Sequence, residues 1–154
     1  MVSALSKHKQ ADQEFLKGIS LLESKDYYNA EKSFKDAHDL DPENPRYLSF
    51  YGHSIAFAGK NPQVGIELCC RAIKAEQRDP DFYTNLSRIY IMIKDRQGAL
   101  ATLKQGMDAM PGNEKILDEF NKIGQRKSSA IPFLSRDNIC NVYFGRLKSF
   151  LIKL

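Results

Sequence analysis

The sequence predicts an all-α protein built from three consecutive helix hairpins. Small residues recur along it at intervals of 34 or 35 positions, with one member of each set in every hairpin. A fixed period of this size is typical of helical repeat arrays. Helices that cross at about 8–10 Å need small side chains at the crossing, which gives the recurrence a physical reason. The three sets are Gly18, Gly52 and Ser87; Ala30, Gly65 and Ala99; and Ala37, Ala72 and Gly106.

The residues between the predicted helices agree with this period. A side chain that can cap a helix precedes a proline at 44–45, 61–62 and 79–80. Proline suits the first helical position because it has no N–H to leave unbonded there. Asp26 and Asp95 are further N-cap candidates. We therefore predict repeats at 11–44, 45–79 and 80–113, preceded by a polar segment, 1–10, that is loosely helical at most.

A last helix and a separate tail are predicted after the repeats. Residues 114–124 carry an apolar stripe, as expected of a helix that covers the open end of an array. Residues 125–154 read as a linker and an amphipathic helix. This tail holds six basic residues against one acid, a net charge of +5, whereas the whole chain carries +4, so residues 1–124 sum to −1. The predicted domains are 1–124 and 125–154.

The residues that carry the period resemble the tetratricopeptide repeat (TPR) family. The first copy has Lys-Asp-Tyr-Tyr-Asn-Ala at 25–30 and Asp-Pro-Glu-Asn at 41–44, with Phe34 and Ala37 between them. The third copy keeps Leu86, Ser87, Tyr90, Asp95, Ala99, Leu103 and Gly106, and the second keeps Tyr51, Gly52, Ile55 and Ala72 with one extra residue. The resemblance covers about two-thirds of the chain. It implies a right-handed α-solenoid of three TPR repeats with a C-terminal capping helix, followed by an amphipathic tail helix.

The resemblance also implies a binding groove along the concave face, lined by the first helix of each repeat. The groove positions of the family are two, five, six, nine, twelve and thirteen of each copy. From these we predict the partner-binding residues Phe15, Ile19, Leu22, Arg46, Phe50, His53, Phe57, Asn85, Arg88 and Met92. The set is largely apolar and aromatic, with His53 and Arg88 as polar side chains. The sequence therefore predicts a non-enzymatic protein-interaction module that binds an apolar peptide or helix.

One known ligand class of the family does not fit these positions. Members that clamp the acidic C-termini of heat-shock chaperones use lysine, asparagine and arginine side chains to hold carboxylates. The matching positions in this chain are Phe15, Ile19, Phe50, Asp81 and Asn85. Most donors to a carboxylate are missing, and Asp81 would repel one. The sequence argues against a carboxylate clamp.

Two other functions stay open. The chain is similar to the bacterial chaperones of type III translocators in its size and its three repeats with an apolar groove, although those chaperones are typically acidic. Alternatively it is a scaffold that assembles through its tail. The apolar and basic residues of 139–154 favour burial on the chain's own array first, on a second copy in a homodimer second, and on an anionic membrane third.

The sequence shows no catalytic constellation and no spacing typical of a cofactor or metal site, so we predict neither. Tyr90 and Lys94 form a Tyr-x-x-x-Lys pair without the Gly-rich loop that would bind a nucleotide. Cys69, Cys70 and Cys140 lack a disulfide framework and predict reduced thiols. Basic residues of the array are balanced by acids, which argues against nucleic acid. Without an apolar stretch of membrane or signal-peptide length, we predict a cytoplasmic protein.

Overall fold

A computed structural model describes residues 2–124, which form seven α-helices joined by short turns, with no strand in that range. The helices are α1 (Val2–Glu23), α2 (Tyr27–Leu40), α3 (Pro45–Phe57), α4 (Pro62–Ala75), α5 (Pro80–Met92), α6 (Arg96–Ala109) and α7 (Glu114–Gly124). The first six pair as three hairpins, and α7 packs against α5 and α6. The predicted all-α repeat architecture is confirmed. The predicted linker and tail lie outside the described residues.

Helix α1 is longer than the sequence predicts. It begins at Val2, whereas we expected no more than a loose turn before residue 11. Residues 5–10 are exposed, and Ala11 is fully buried. The lead-in is helical because it contains no glycine or proline and is rich in residues with good helix propensity, such as alanine, leucine, lysine and glutamine. Because these residues carry no apolar stripe, their helical structure could not be predicted from hydrophobic periodicity.

Side chains cap the helices where the sequence predicts them. Asn44, Asn61 and Asp79 accept hydrogen bonds from the first backbone N–H groups of α3, α4 and α5, and a proline follows each of them. Asp26 and Asp95 cap α2 and α6 in the same way. These bonds satisfy donors that have no partner within the helix, so the caps fix where each helix begins.

The turn within each hairpin has the same backbone geometry in all three copies. Lys25, Gly59 and Lys94 have φ values of 62°, 76° and 66°. They are 34 and 35 residues apart, in phase with the small residues. A left-handed residue of this kind commonly ends a helix. The turn geometry therefore repeats even where the residue type does not.

Small residues lie where the paired helices cross, and all nine members of the three recurring sets are buried. In the second hairpin the two backbones meet directly. A Cβ atom added to Gly52 would lie 2.8 Å from the carbonyl oxygen of Gly65, and one added to Gly65 would lie 2.5 Å from that of Gly52. In the first hairpin Gly18 instead makes room for the ring of Phe34.

The described core has two parts. In the first repeat and the start of α3 it is aromatic, because the ring of Phe15 lies between 5.1 and 5.5 Å from the ring centroids of Phe34, Tyr47 and Phe50. The second part runs through the other repeats and includes Cys69, which is fully buried. Burial raises the pKa of the Cys69 thiol to about 12, so this cysteine packs as an apolar residue rather than reacting as a thiolate.

Candidate functional site

Helices α1, α3, α5 and α7 contribute to one continuous surface, which we call the A-helix face. We define it by positions two, five, six, nine, twelve and thirteen, counted from residues 11, 45 and 80, and by positions two, five, six and nine counted from residue 114. Side chains at these positions meet between consecutive helices, beginning with Phe15 of α1 and Phe50 of α3. Arg46 of α3 lies 3.7 Å from the Asp81 carboxylate of α5, and Arg88 of α5 pairs with Glu119 of α7. The α7 helix thus stands where the first helix of a fourth copy would lie.

The α1 part of this face divides into a buried side chain and an open one. Phe15 is only 7% exposed, and the Arg46 guanidinium lies 5.5 Å from the centre of its ring. Ile19 and Leu22 are partly buried against the same aromatic cluster. Leu16, at position six, is 65% exposed. The apolar surface that α1 offers to a partner is therefore centred on Leu16 rather than on Phe15.

The α3 part is mostly closed. Phe50 is 6% exposed because it packs on Phe15 and Phe34. Phe57 is partly exposed, and its ring stacks on the imidazole of His53 with a centroid distance of 4.4 Å. Of the two phenylalanines predicted here, Phe57 is the one that a partner can reach.

Two buried polar side chains lie at the middle of the face. The Asn85 amide nitrogen donates to the Ser49 hydroxyl oxygen at 3.2 Å. His53 is 4% exposed, and its Nδ1 atom has no hydrogen-bond partner. Burial, and then the positive charge of Arg88, lower the pKa of His53 to about 4. The imidazole is therefore neutral at neutral pH.

The α5 part joins the face to the capping helix. Arg88 donates from Nε and Nη2 to the two carboxylate oxygens of Glu119, at 3.0 and 3.2 Å. Burial alone would raise the pKa of Glu119, but the hydrogen bond to Arg88 and nearby positive charges outweigh it and hold this pKa below its usual value. Beside this pair Met92 is partly buried, and Ile91 is 41% exposed.

The charges at position two alternate in sign along the array. They are Asp12, Arg46, Asp81 and Lys115, one in each consecutive copy. Arg46 and Lys115 both pair with Asp81, and the Asp12 carboxylate accepts a hydrogen bond from the Tyr47 hydroxyl at 2.6 Å. Three of these charges pair with one another and the fourth is hydrogen-bonded, so the four charges along this edge of the face sum to zero.

The structure separates the sequence-predicted set into an accessible part and a core part. Phe57 and Arg88 are accessible at the middle of the face, with His53 and Asn85 buried beside them, while Phe50 joins the core with Phe15. Sequence reasoning left Leu16, Ile91 and Glu119 out of the predicted partner-binding set. Leu16 and Ile91 stand at groove positions, so the repeat phase itself places both in the groove. Glu119 could have been found by continuing the same count into α7.

The comparisons with known proteins agree with this geometry. Neither a protein-family profile nor a curated protein sequence matches the chain. Solved structures of TPR domains match its fold. The first TPR domain of Spaghetti (RPAP3), bound to the HSP90 peptide SRMEEVD, has a TM-score of 0.61 and 19% identity, and the match covers 77% of this chain and 93% of that one.

Two further structures come from yeast and a bacterium. The TPR2B domain of yeast Sti1 in complex with an Hsp70 peptide has a TM-score of 0.62 and 21% identity, covering 77% of this chain and 99% of that one. The Yersinia enterocolitica type III secretion chaperone SycD, with a peptide of the translocator YopD, has a TM-score of 0.58 and 14% identity, covering 73% and 91%. At such identities the likeness concerns the fold, and the predicted TPR fold is confirmed.

The structure also bears on the Tyr90–Lys94 pair, on metal binding and on membrane spans. Tyr90 packs, partly buried, against the core of the second and third repeats. Within residues 2–124 no group of three His, Cys, Asp or Glu side chains could hold a metal ion. No helix in that part of the chain has the length and apolar character needed to cross a membrane.

Proposed function

We propose that this protein is a non-enzymatic interaction module whose A-helix face binds an apolar peptide or helix of another protein. One observation carries the proposal. Leu16, Phe57 and Ile91 are open or partly open on three successive A helices, while the charges next to them pair with one another. Apolar side chains among neutralised charges favour an apolar partner over a charged one. The neighbours described with HSP90, Hsp70 and YopD peptides support a peptide partner.

The proposal can be tested with a defined probe, a short fluorescein-labelled peptide of Leu, Ala and Gln. It is amidated at its C-terminus and carries leucines at i, i+3, i+4 and i+7. We expect saturable binding to the full chain by fluorescence anisotropy. The double variant Leu16→Lys with Ile91→Lys should weaken it about tenfold or more, because burying one leucine is worth about 1.5–3 kcal/mol.

The matched control for this test is Tyr28→Lys. Tyr28 is 66% exposed but lies on α2, outside the A-helix face, so this variant should bind the probe like the wild type. Circular dichroism should show both variants folded. Equal binding by the double variant and the wild type would refute the proposed surface. Phe50 is unsuitable for such a test, because a lysine in its buried position would report on folding.

A second prediction concerns acidic peptides. We expect no saturable binding of SRMEEVD to this chain, because Phe15, Phe50 and Asn85 are buried at positions where a clamp needs accessible donors. Asp81 adds a negative charge that already pairs with Arg46 and Lys115. Anisotropy measurements should use the RPAP3 domain as the positive control. Saturable binding that disappears when the peptide's C-terminus is amidated would show that the chain does form a carboxylate clamp.

The alternative functions rest on fewer observations than the binding of an apolar peptide does. A secretion-chaperone function is supported by the fold that the chain shares with SycD. Homodimer formation, membrane contact and filling of the groove by the chain's own tail all concern residues 125–154, which lie outside the described part. The cytoplasmic location remains a prediction of the sequence.

A further inference from the structure

The pair between Arg88 and Glu119 has the geometry with which arginine recognises a carboxylate in a partner. Two parallel N–H···O bonds join the guanidinium to both carboxylate oxygens. Such a fork is among the strongest and most directional polar contacts in proteins. Arg88 stays 42% exposed at its side chain. It stands three residues before Ile91, so the two side chains neighbour each other on the same helix surface.

Other residues than Glu119 hold α7 against the repeats. Ile116 is fully buried, and Phe120 and Ile123 pack, partly buried, against the core of the second and third repeats. The Glu119 carboxylate itself pairs with Arg88 and, at 3.8 Å, with Lys122 on its own helix. Its side chain can therefore rotate away from Arg88 while the apolar contacts of α7 remain in place. The exchange would cost the ion pair with Arg88 and leave the core covered.

A buried polar group near the Arg88–Glu119 pair has no hydrogen-bond partner. The Asn85 amide is engaged by Ser49, whereas His53 Nδ1 is enclosed without a hydrogen-bond partner. A native protein rarely leaves a buried polar atom unsatisfied. Among the described residues the other such atom is His38 Nδ1, which lies on α2 and outside the A-helix face. His53 lies within the field of the Arg88 charge. The two side chains mark a polar centre within an otherwise apolar face.

From these contacts, and building on the proposed function, we propose that Glu119 is an internal substitute for a carboxylate of the partner. The partner is then an apolar segment that carries one Asp or Glu side chain, which displaces Glu119 and forms the fork with Arg88. We assign a side-chain carboxylate because Glu119 itself presents one from a helix. Arg88 stands outside the five positions at which relatives clamp a chain terminus, so this recognition differs from theirs.

The test compares two versions of the leucine peptide described above. One has a single Gln on its polar face replaced by Glu, and both are C-terminally amidated. Glu119→Gln in the full chain removes the internal competitor, so it should bind the Glu peptide about tenfold more tightly than the wild type does. Its affinity for the Gln peptide should not change. Arg88→Met should bind both peptides equally.

Glu114→Gln is the matched control. It makes the same change at an exposed position of α7 that is not part of the A-helix face, and it should leave both affinities at wild-type values. A measurement on the wild type alone avoids any effect of the substitutions on folding. The Arg88 Nε–H signal in an NMR spectrum should shift on addition of the Glu peptide and stay in place with the Gln peptide.

The outcomes separate the carboxylate inference from the proposed function. If both peptides bind equally to every variant and the Arg88 signal is unmoved, the carboxylate inference is wrong while the apolar face stands. If neither peptide binds the wild type or the Glu119→Gln variant, the proposed function fails as well. If the Gln peptide with a free C-terminus gains more from Glu119→Gln than the Glu peptide does, the carboxylate is a chain terminus and our assignment of a side chain is overturned.

Discussion

Replacing Gly52 by leucine should destabilise the chain strongly enough to unfold the second hairpin at moderate temperature. A Cβ at this position would lie 2.8 Å from the Gly65 carbonyl oxygen and 2.9 Å from the Leu68 Cβ atom. The first neighbour is backbone, so relief requires α3 and α4 to separate. Overpacking of a core typically costs about 1–3 kcal/mol, and a forced backbone shift costs more. Urea unfolding followed by circular dichroism measures the loss.

Gly59→Asn is the control for this substitution. Gly59 has a φ of 76° and open space around its Cα, and asparagine tolerates that conformation better than most residues. We expect it to cost less than about 1 kcal/mol. If Gly52→Leu unfolds at the same urea concentration as the wild type, the two backbones do not cross at Gly52, and the repeat phase on which the A-helix face depends is wrong.

The second large effect is a loss of stability in mild acid that depends on His53. The usual pKa of histidine is 6.5, and that of His53 in the folded chain is about 4. Below pH 6.5 His53 binds a proton in the unfolded chain, whereas in the folded chain it stays neutral down to about pH 4. Stability from this group is complete above pH 6.5 and falls through that window, by about 2–3 kcal/mol at pH 4.5.

His53→Phe isolates this contribution, because the variant keeps an aromatic ring against Phe57. Urea unfolding at pH 7 and pH 4.5 should show a smaller loss for the variant than for the wild type, by about 2 kcal/mol. The comparison is needed because burial also lowers the pKa of His38, which remains in both proteins. Parallel loss of stability in the two proteins would show that His53 is solvated and charges normally in the folded state.

Local chemistry made the helix boundaries predictable. The Asn44, Asn61 and Asp79 caps and the prolines after them act within one turn of a helix, so the sequence around each of them is enough. The small residues at the helix crossings could be predicted because close approach excludes other side chains there. The long α1 could not be predicted from periodicity, since residues 5–10 bury nothing.

The sequence predicts which residues lie on the A-helix face, but not which of them are exposed. The period places Phe15, Phe50 and Leu16 on the same side of the array, yet the first two are buried and the third is open. The difference arises from the packing of α1 on α3, where aromatic rings fill the space between the helices. Periodicity says which way a side chain points, and only the neighbouring helix decides whether it is covered. The Arg88–Glu119 pair joins residues 31 positions apart, beyond the reach of any local rule.

The alternating charges at position two make the order of the copies matter. Asp12, Arg46, Asp81 and Lys115 form a sequence in which each copy differs in sign from the next. Deleting the middle repeat would bring Asp12 and Asp81 into adjacent copies, and duplicating a repeat would set two like charges side by side. Inserting a pair of unlike copies would preserve the alternation. The array can thus grow or shrink without electrostatic conflict only in steps of two, a parity rule carried by one residue in each repeat.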